Sequence, residues 1–311
     1  MNPAFSVVVF TTIAGAAQGL VVALALSVLI GIETGAGFAT AVLALAAMLL
    51  VIGLGASFLH LGRPERAWRA ATMWRTSWLS REVIVLPAFI GLVMLWWLAL
   101  RVHASEPWTR VTFPLAALLT AAALWYCTAM IYACLRFVEE WAHPLTLVNF
   151  VLVGLSSGFM LASALAAQSG ESVLLRAVGP AAVPLTLAAW ALRMAALRRN
   201  AHIKHRSTLQ SATGILAPHL LQQSMGMSAG SFNTREFFHH ASLLALKRIR
   251  LVLIVLGFAL PSLLAAIGVL TASPWAWWLA VLAQAPGLVA DRWFFFAQAK
   301  HPQNLYYQVV S

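Results

Sequence analysis

Eight apolar runs of about 20 residues or more dominate the chain of 311 residues, and they constrain its fold more than any other feature. A transmembrane helix needs about 20 mostly apolar residues to cross the hydrocarbon core of a bilayer. The runs lie at about residues 5–31, 37–59, 82–100, 111–133, 144–168, 173–195, 249–270 and 275–298. We therefore predict an all-α, polytopic membrane protein in which eight transmembrane helices form one integral membrane domain over residues 1–311.

The composition favours a lipid environment over a soluble one. Hydrophobic residues make up 61% of the chain and charged residues only 9%, whereas a soluble globular domain carries about 25% charged residues. Cys127 and Cys134 share one apolar run, and no CxxC motif is present. The sequence therefore predicts two buried, unpaired cysteines, and any iron–sulfur cluster must reside on another chain.

Lys and Arg residues are unevenly distributed between the two sides of the predicted helical bundle. With eight spans, both termini lie on one side, and that side carries 17 of the 20 Lys and Arg residues. The opposite side carries only Arg101, Arg110 and Arg176. Because Lys and Arg accumulate in cytoplasmic loops, both termini are predicted to be cytoplasmic. The net charge of +11 belongs to this face, and it favours anionic lipid heads and an acidic or polar protein partner over nucleic acid.

The longest connection between apolar runs covers about residues 197–248, on the predicted cytoplasmic side. It contains Ser, Gly and Asn residues that are typical of loops, together with basic segments and the stretch "SMGMSAGSFNTREFFHH". A flexible tether is one interpretation. The aromatic and histidine content favours the other, which is a docking loop for a partner protein.

The second long connection, "SFLHLGRPERAWRAATMWRTSWLSREVIV", concentrates arginines and tryptophans between two apolar runs. His60 ends the second run and Glu82 begins the third, so both lie at the same membrane face. An imidazole and a partly buried carboxylate can exchange protons near neutral pH. Arg63 and Arg81 add positive potential, and Trp74 adds a flat apolar wall. These features predict a quinone site, with proton transfer by His60 and Glu82.

A structural interpretation of these residues stays open at this point. A histidine and a glutamate at helix ends can cap, snorkel or pair with nearby arginines, and tryptophans often anchor helices at the membrane interface. Asp291 and Arg292 lie late in the last apolar run. Ionisable residues in spanning segments usually find partners inside the bundle, so an ion pair with a neighbouring helix is the simplest role for them.

Two other functional classes fit the sequence less well. A haem held by two histidines needs imidazoles on facing helices at matching depth; His60 and His143 stand at helix ends, so no haem is expected. Transporters tend to have broken helices and polar sites at the membrane midplane. The helix centres here are mostly apolar, and the polar residues gather on one face.

The segments "FLHLGRPERAW" and "LSREVI" resemble the membrane anchors of DMSO reductase-type complexes, within the wider group of polysulfide and nitrite reductase anchors. The segments "NPAFSVVVFTTIAGAAQGL", "FNTREFFHH" and "DRWFFFAQAKHPQNLYYQ" are similar, more narrowly, to the anchors of cytoplasmic sulfite dehydrogenases that reduce quinone. The resemblance covers essentially the full length. It implies eight helices, no haem, and a quinone pocket near the face where an iron–sulfur, ferredoxin-like subunit docks, with a molybdopterin catalytic subunit behind it.

The resemblance also implies roles for individual residues. The histidine of "LHLG" is His60 and the acid of "SREV" is Glu82, and both correspond to quinone-site residues; Gly62 and Pro64 would shape the turn between them. The late "GR" of the family is replaced here by "DR", at Asp291 and Arg292, so the role of the acidic residue is left open.

The predicted function follows from the resemblance and the charge distribution together. Anchors of the DMSO reductase type hold their catalytic subunits outside the cytoplasm, on the side of the termini, whereas the termini here are predicted to be cytoplasmic. This favours a quinone-binding anchor in a bacterial inner membrane that passes electrons from sulfite oxidation to ubiquinone or menaquinone. The alternatives are a quinol-oxidising anchor of a DMSO reductase-like complex and, from another class, a transporter or a non-catalytic scaffold.

Overall fold

The computed structural model describes residues 1–59, 61–102, 106–224 and 232–307. Over these ranges the chain is helical and contains no β-strand. The helices are α1 (Phe5–Leu29), α2 (Ala36–Phe58), α3 (Trp78–Val102), α4 (Pro107–Ala133), α5 (Pro144–Gln168), α6 (Ser172–Ala201), α7 (Leu209–Thr213), α8 (Phe232–Glu236), α9 (Leu243–Ile254), α10 (Leu260–Thr271) and α11 (Pro274–Ala297). A π-helical turn at Val255–Ala259 joins α9 to α10, so the two form one continuous rod.

Seven of the helical segments are long and apolar enough to cross a membrane: α1 to α6 and the α9–α10 rod. The first seven predicted apolar runs are therefore confirmed as candidate spans. The eighth run also forms a helix, α11, which has 24 residues. It is not among the seven candidate spans, since four tryptophans, Gln284, Asp291 and Arg292 lower its hydropathy.

The long helices form two rings of four. In the first ring, α2 packs between α1 and α3, and α4 closes the ring against α1. In the second, α6 packs between α5 and the α9–α10 rod, and α11 closes the ring against α5. The helix α11 thus occupies the position in the second ring that α4 occupies in the first. The rings meet where α1 packs on α5, and these two helices are the most buried of the seven candidate spans.

Glycines allow α1 and α5 to approach closely at the junction between the rings. A Cβ atom on Gly19 would lie 2.0 Å from the carbonyl oxygen of Gly154. A Cβ atom on Gly158 would lie 2.0 Å from the carbonyl carbon of Gly19. Small residues at helix contacts let backbones approach in lipid, where packing rather than the hydrophobic effect drives association.

Substitution of Gly158 by Ala is expected to destabilise the chain, because the added methyl group must push α1 and α5 apart. Overpacking of this kind typically costs about 1–3 kcal/mol. The measurement is thermal unfolding of the purified chain in detergent. Gly91→Ala in α3 is the matched control, since a Cβ there meets nothing within 4 Å. Equal unfolding temperatures for the two variants would contradict the close contact.

Several helices extend beyond the predicted apolar runs. The third helix begins at Trp78 rather than at residue 82, the sixth continues to Ala201, and the rod begins at Leu243. Backbone hydrogen bonds continue into polar sequence because helix formation does not require apolar side chains. Both ends of the predicted loop at 197–248 are therefore helical, and α7 and α8 lie within it.

The two cysteines differ in their environment. Cys127 is buried in α4, as predicted, but Cys134 is exposed, so the prediction that it is buried was wrong. Cys134 is the residue that follows the last turn of α4, where the chain leaves the bundle. Both thiols are free.

Contacts between loops define two opposite faces. On one face, Glu33 and Arg110 form an ion pair of 3.3 Å, and the Gly35 N–H donates to the carboxylate of Glu171 at 3.1 Å. On the other, the N-terminal amine of Met1 donates to the carbonyl oxygen of Ala299 at 2.9 Å. We call this second face the terminal face, and it also contains the hairpin between α2 and α3.

Candidate functional site

The hairpin between α2 and α3 contains a 3₁₀ helix over Pro64–Met73 and is tied to α3 by one arginine. The guanidinium of Arg81 donates from Nε to the carbonyl oxygen of Trp74 and from Nη2 to that of Arg75, both at 2.9 Å. It also lies 4.1 Å from the ring centroid of Trp78. Arg81 therefore holds the end of the hairpin against the start of α3.

Glu82 points from α3 into the first ring. Its side chain is buried, and its carboxylate accepts a hydrogen bond from the hydroxyl of Thr128 in α4. A buried carboxylate needs a polar partner, and Thr128 provides one inside an otherwise apolar helix pair. The sequence analysis did not identify Thr128, because a single threonine in an apolar helix usually bonds only to its own backbone, as Thr120 does.

The structure separates the predicted quinone residues into an inner and an outer group. Glu82 faces the interior of the bundle, while Arg81 joins Trp74 in the hairpin. Trp74 and Arg63 are exposed. His60 lies outside the described residues. The assignment of these five residues to a quinone site therefore stays a prediction.

A second polar group lies between α6 and α11. Nε of Arg193 lies 2.5 Å from a carboxylate oxygen of Asp291, and Nη2 donates to the carbonyl oxygen of the same residue at 3.2 Å. Both side chains are only 3% exposed. The structure thus contains an ion pair between Asp291 and a neighbouring helix, as the sequence analysis predicted. Arg193, one of the 17 Lys and Arg residues counted on the terminal side, lies inside the bundle.

Arg292 is buried between the two rings. Its guanidinium lies 3.9 Å from the ring centroid of Phe150 in α5. Arg292 lines two small cavities of about 10 Å³ each, one beside Thr128 and the other beside Glu140 and Asn149. A cavity of this size has room for about one water molecule.

Four buried polar residues lie at a similar depth below the terminal face. Each is four to six residues from the end of its helix on that face, which corresponds to about 6–9 Å at a rise of 1.5 Å per residue. The residues are Glu82, Thr128, Asn149 and Asp291. They form a layer of polar groups that crosses from the first ring to the second.

Comparison with known proteins assigns the chain to a family. The model of the DMSO reductase anchor subunit (DmsC) family matches residues 1–285. The chain belongs to this family. A relative from Allochromatium vinosum, which is a sulfite dehydrogenase subunit, is 48% identical over an alignment that covers 100% of both chains. The chain is thus a membrane anchor subunit of a DMSO reductase-family oxidoreductase, and the resemblance found in the sequence is confirmed.

The terminal face of this membrane anchor also has a cleft of about 1000 Å³ beside the N-terminus. Its lining includes the imidazoles of His205, His239 and His301, and the ring of Phe237 stacks on His301 at 4.1 Å. Partial burial is the main cause that lowers the pKa of His239 and of His301, and the nearby N-terminal amine contributes.

The arrangement suits proton exchange better than metal binding. Within residues 1–59, 61–102, 106–224 and 232–307, no group of three or more His, Cys, Asp or Glu side chains is placed to hold a metal ion. The site instead combines a buried carboxylate with a hydroxyl partner, and it has arginines and exposed tryptophans in the hairpin on the terminal face. Groups of this kind can bind an amphipathic ligand and transfer protons to it.

Proposed function

We propose that the anchor binds quinone and passes to it the electrons released by sulfite oxidation. A molybdopterin catalytic subunit would oxidise sulfite, and an iron–sulfur, ferredoxin-like subunit docked on the terminal face would carry the electrons, without haem in this chain. The full-length similarity to a sulfite dehydrogenase subunit favours sulfite as the donor. The observation that carries the quinone assignment is the buried Glu82 carboxylate, which lies beneath the arginine-rich hairpin with one hydroxyl partner.

The residues at the hairpin fit a quinone. Quinone, when bound, is an acceptor of two electrons and two protons. Glu82 can hold a proton near a quinone oxygen, and Thr128 orients the carboxylate for this transfer. Arg81, fixed by two carbonyl groups, places positive charge near the site. The exposed ring of Trp74 offers an apolar wall at the boundary between lipid and water, and His60 would provide a second proton donor.

The test of this function is a pair of assays on the intact complex in membranes. One follows the reduction of decylubiquinone, or of a menaquinone analogue, by sulfite; the other follows the reduction of ferricyanide by sulfite. Deletion of this chain should abolish quinone reduction. The partner subunits alone should still reduce ferricyanide with sulfite. Quinone reduction at the wild-type rate without the chain would overturn the proposal.

A quinol-oxidising anchor is the second candidate, and the family match is the observation that favours it. In that case electrons would run from quinol through the partners to an oxidised substrate. The same membranes distinguish the two candidates, because DMSO-dependent oxidation of reduced decylubiquinone, with no quinone reduction by sulfite, would support the second.

We also propose that α11 is the eighth span and that the terminal face is cytoplasmic in a bacterial inner membrane. The position of α11 in the second ring matches that of α4 in the first, and α4 is apolar enough to cross the membrane. Ion pairing of Asp291 with Arg193 explains how α11 can carry charges into the bilayer.

Fusion reporters are expected to confirm this orientation. Green fluorescent protein attached after Ser311 should fluoresce, because it folds in the cytoplasm. Alkaline phosphatase inserted at Gly170, between α5 and α6, should be active, because it requires export. The excess of Lys and Arg on the terminal face is the physical reason. Phosphatase activity after Ser311 with none at Gly170 would contradict the orientation.

A further inference from the structure

Three buried polar atoms around one small cavity lack a hydrogen-bond partner within the described part of the chain. They are Oε2 of Glu140, Oδ1 of Asn149 and Nε of Arg292. Each of these residues is at least nine-tenths buried. One water molecule can accept a hydrogen bond from a donor such as Nε and donate to two oxygens, so a single water in the cavity has the capacity to satisfy all three atoms.

The outer end of this group reaches the cleft on the terminal face. The second carboxylate oxygen of Glu140 lies 3.7 Å from Nε2 of His205. The side chain of His205 is 33% exposed and lines the cleft, whereas that of Glu140 is 4% exposed. An imidazole can take up a proton from water near neutral pH and release it to a neighbouring carboxylate.

The inner end of the group reaches Glu82. Arg292 also lines the second small cavity, together with Thr11, Gln18 and Thr128. The hydroxyl of Thr128 donates to the carboxylate of Glu82. Two cavities of about 10 Å³, which both touch Arg292, and the hydroxyl of Thr128 thus lie between Glu140 and Glu82.

We propose that these groups form a lateral proton path from the cleft to Glu82. The order is His205, Glu140, a water beside Asn149 and Arg292, a second water beside Thr128, the hydroxyl of Thr128, and then Glu82. The hydroxyl gives its proton to the carboxylate of Glu82 and takes another from the second water. The proposal rests on the proposed function. Reduction of one quinone to quinol takes two electrons from the iron–sulfur partner and two protons; the path returns to Glu82 each proton that the carboxyl group gives to a quinone oxygen.

Arg292 acts in this path as a positioning residue. A guanidinium in a protein keeps its proton, so Arg292 donates hydrogen bonds and orients the two waters without carrying the proton itself. Arg292 lines the cavity beside Glu140 and the cavity beside Thr128, so it can donate to a water in each. The contact with the ring of Phe150 holds the guanidinium in place.

The test uses the intact complex and two substitutions that preserve size. Glu140→Gln removes the proton-carrying group, and Thr128→Val removes the hydroxyl next to Glu82. Each is expected to slow sulfite-dependent reduction of decylubiquinone by about 10²-fold, the lower end of the range for lost proton transfer. The ratio of rates in H₂O and D₂O should rise, because proton delivery becomes the slow step. Ferricyanide reduction should not change.

Two matched variants serve as controls. Thr128→Ser keeps the hydroxyl and should retain most of the activity. Glu171→Gln removes a carboxylate from the opposite face, where it accepts the N–H of Gly35, and it should retain the activity and the isotope effect. A normal rate and isotope effect in both Glu140→Gln and Thr128→Val, with a slow Glu82→Gln enzyme, would overturn the path and leave the proposed function intact.

Other outcomes also decide between the alternatives. If Glu82→Gln keeps its quinone activity, the proposed quinone site fails, and the path fails with it. If Glu140→Gln lowers the rates of quinone and ferricyanide reduction equally and releases the partner subunits, the buried group is structural, and the path is overturned.

Discussion

Replacement of Glu82 by Gln is expected to slow quinone reduction by about 10²–10⁴-fold, the usual contribution of a positioned acid or base. Glutamine keeps the shape of the side chain, and its amide can still pair with the hydroxyl of Thr128, so the complex should assemble. Sulfite should still reduce ferricyanide at the wild-type rate, because that reaction does not use the membrane site. The ratio of the two activities is therefore the quantity to measure.

The control for this variant lies in the same hairpin. Glu65→Gln removes an equal charge from a side chain that is 67% exposed, and it should leave both activities unchanged. A His60→Ala variant should behave like Glu82→Gln, and loss of its hydrogen bond to the ligand would weaken quinone binding by about 0.5–1.5 kcal/mol. Full quinone activity in both Glu82→Gln and His60→Ala would show that the site is elsewhere.

Much of the fold could be predicted from the sequence because lipid imposes a simple length rule on apolar runs. The first seven runs correspond to helices that can cross a membrane. The rule failed at helix ends, where α6 continues past the predicted end at residue 195 to Ala201. The length rule did not predict how α11 is accommodated, because its polar residues become buried through packing against α1, α5 and the α9–α10 rod and through the ion pair with Arg193 in α6.

The candidate site could be predicted only in part. The order of the helices places Glu82 at the terminal face, and the structure agrees with that position. The partner of its carboxylate, Thr128, depends on how α3 and α4 rotate against each other, which the periodicity of an almost wholly apolar helix does not encode. The pairing of Arg193 with Asp291 could not be predicted for the same reason, since the two residues are 98 positions apart and meet only when their helices pack.

Substitution of Asp291 by Asn is expected to have the largest effect on stability. The guanidiniums of Arg193 and Arg292 stay buried, and no carboxylate remains between α6 and α11 to balance the positive charge of Arg193. Breaking a buried ion pair by removal of one partner costs about 3–5 kcal/mol, because the remaining charge stays in a medium that solvates it poorly. The yield of folded chain in membranes and its unfolding temperature in detergent should both fall.

The double variant Arg193→Leu/Asp291→Leu separates the cost of an uncompensated charge from the contribution of the pair itself. Replacement of a buried pair by apolar side chains is often neutral or stabilising, so the double variant should regain most of the lost stability. The exposed pair of Glu33 and Arg110 provides the contrast, since its side chains are 84% and 56% exposed, and Glu33→Gln should cost roughly 0–1 kcal/mol. If Asp291→Asn is as mild as Glu33→Gln, the charge of Arg193 is not buried in the membrane-embedded chain. In that case solvent reaches the space between α6 and α11.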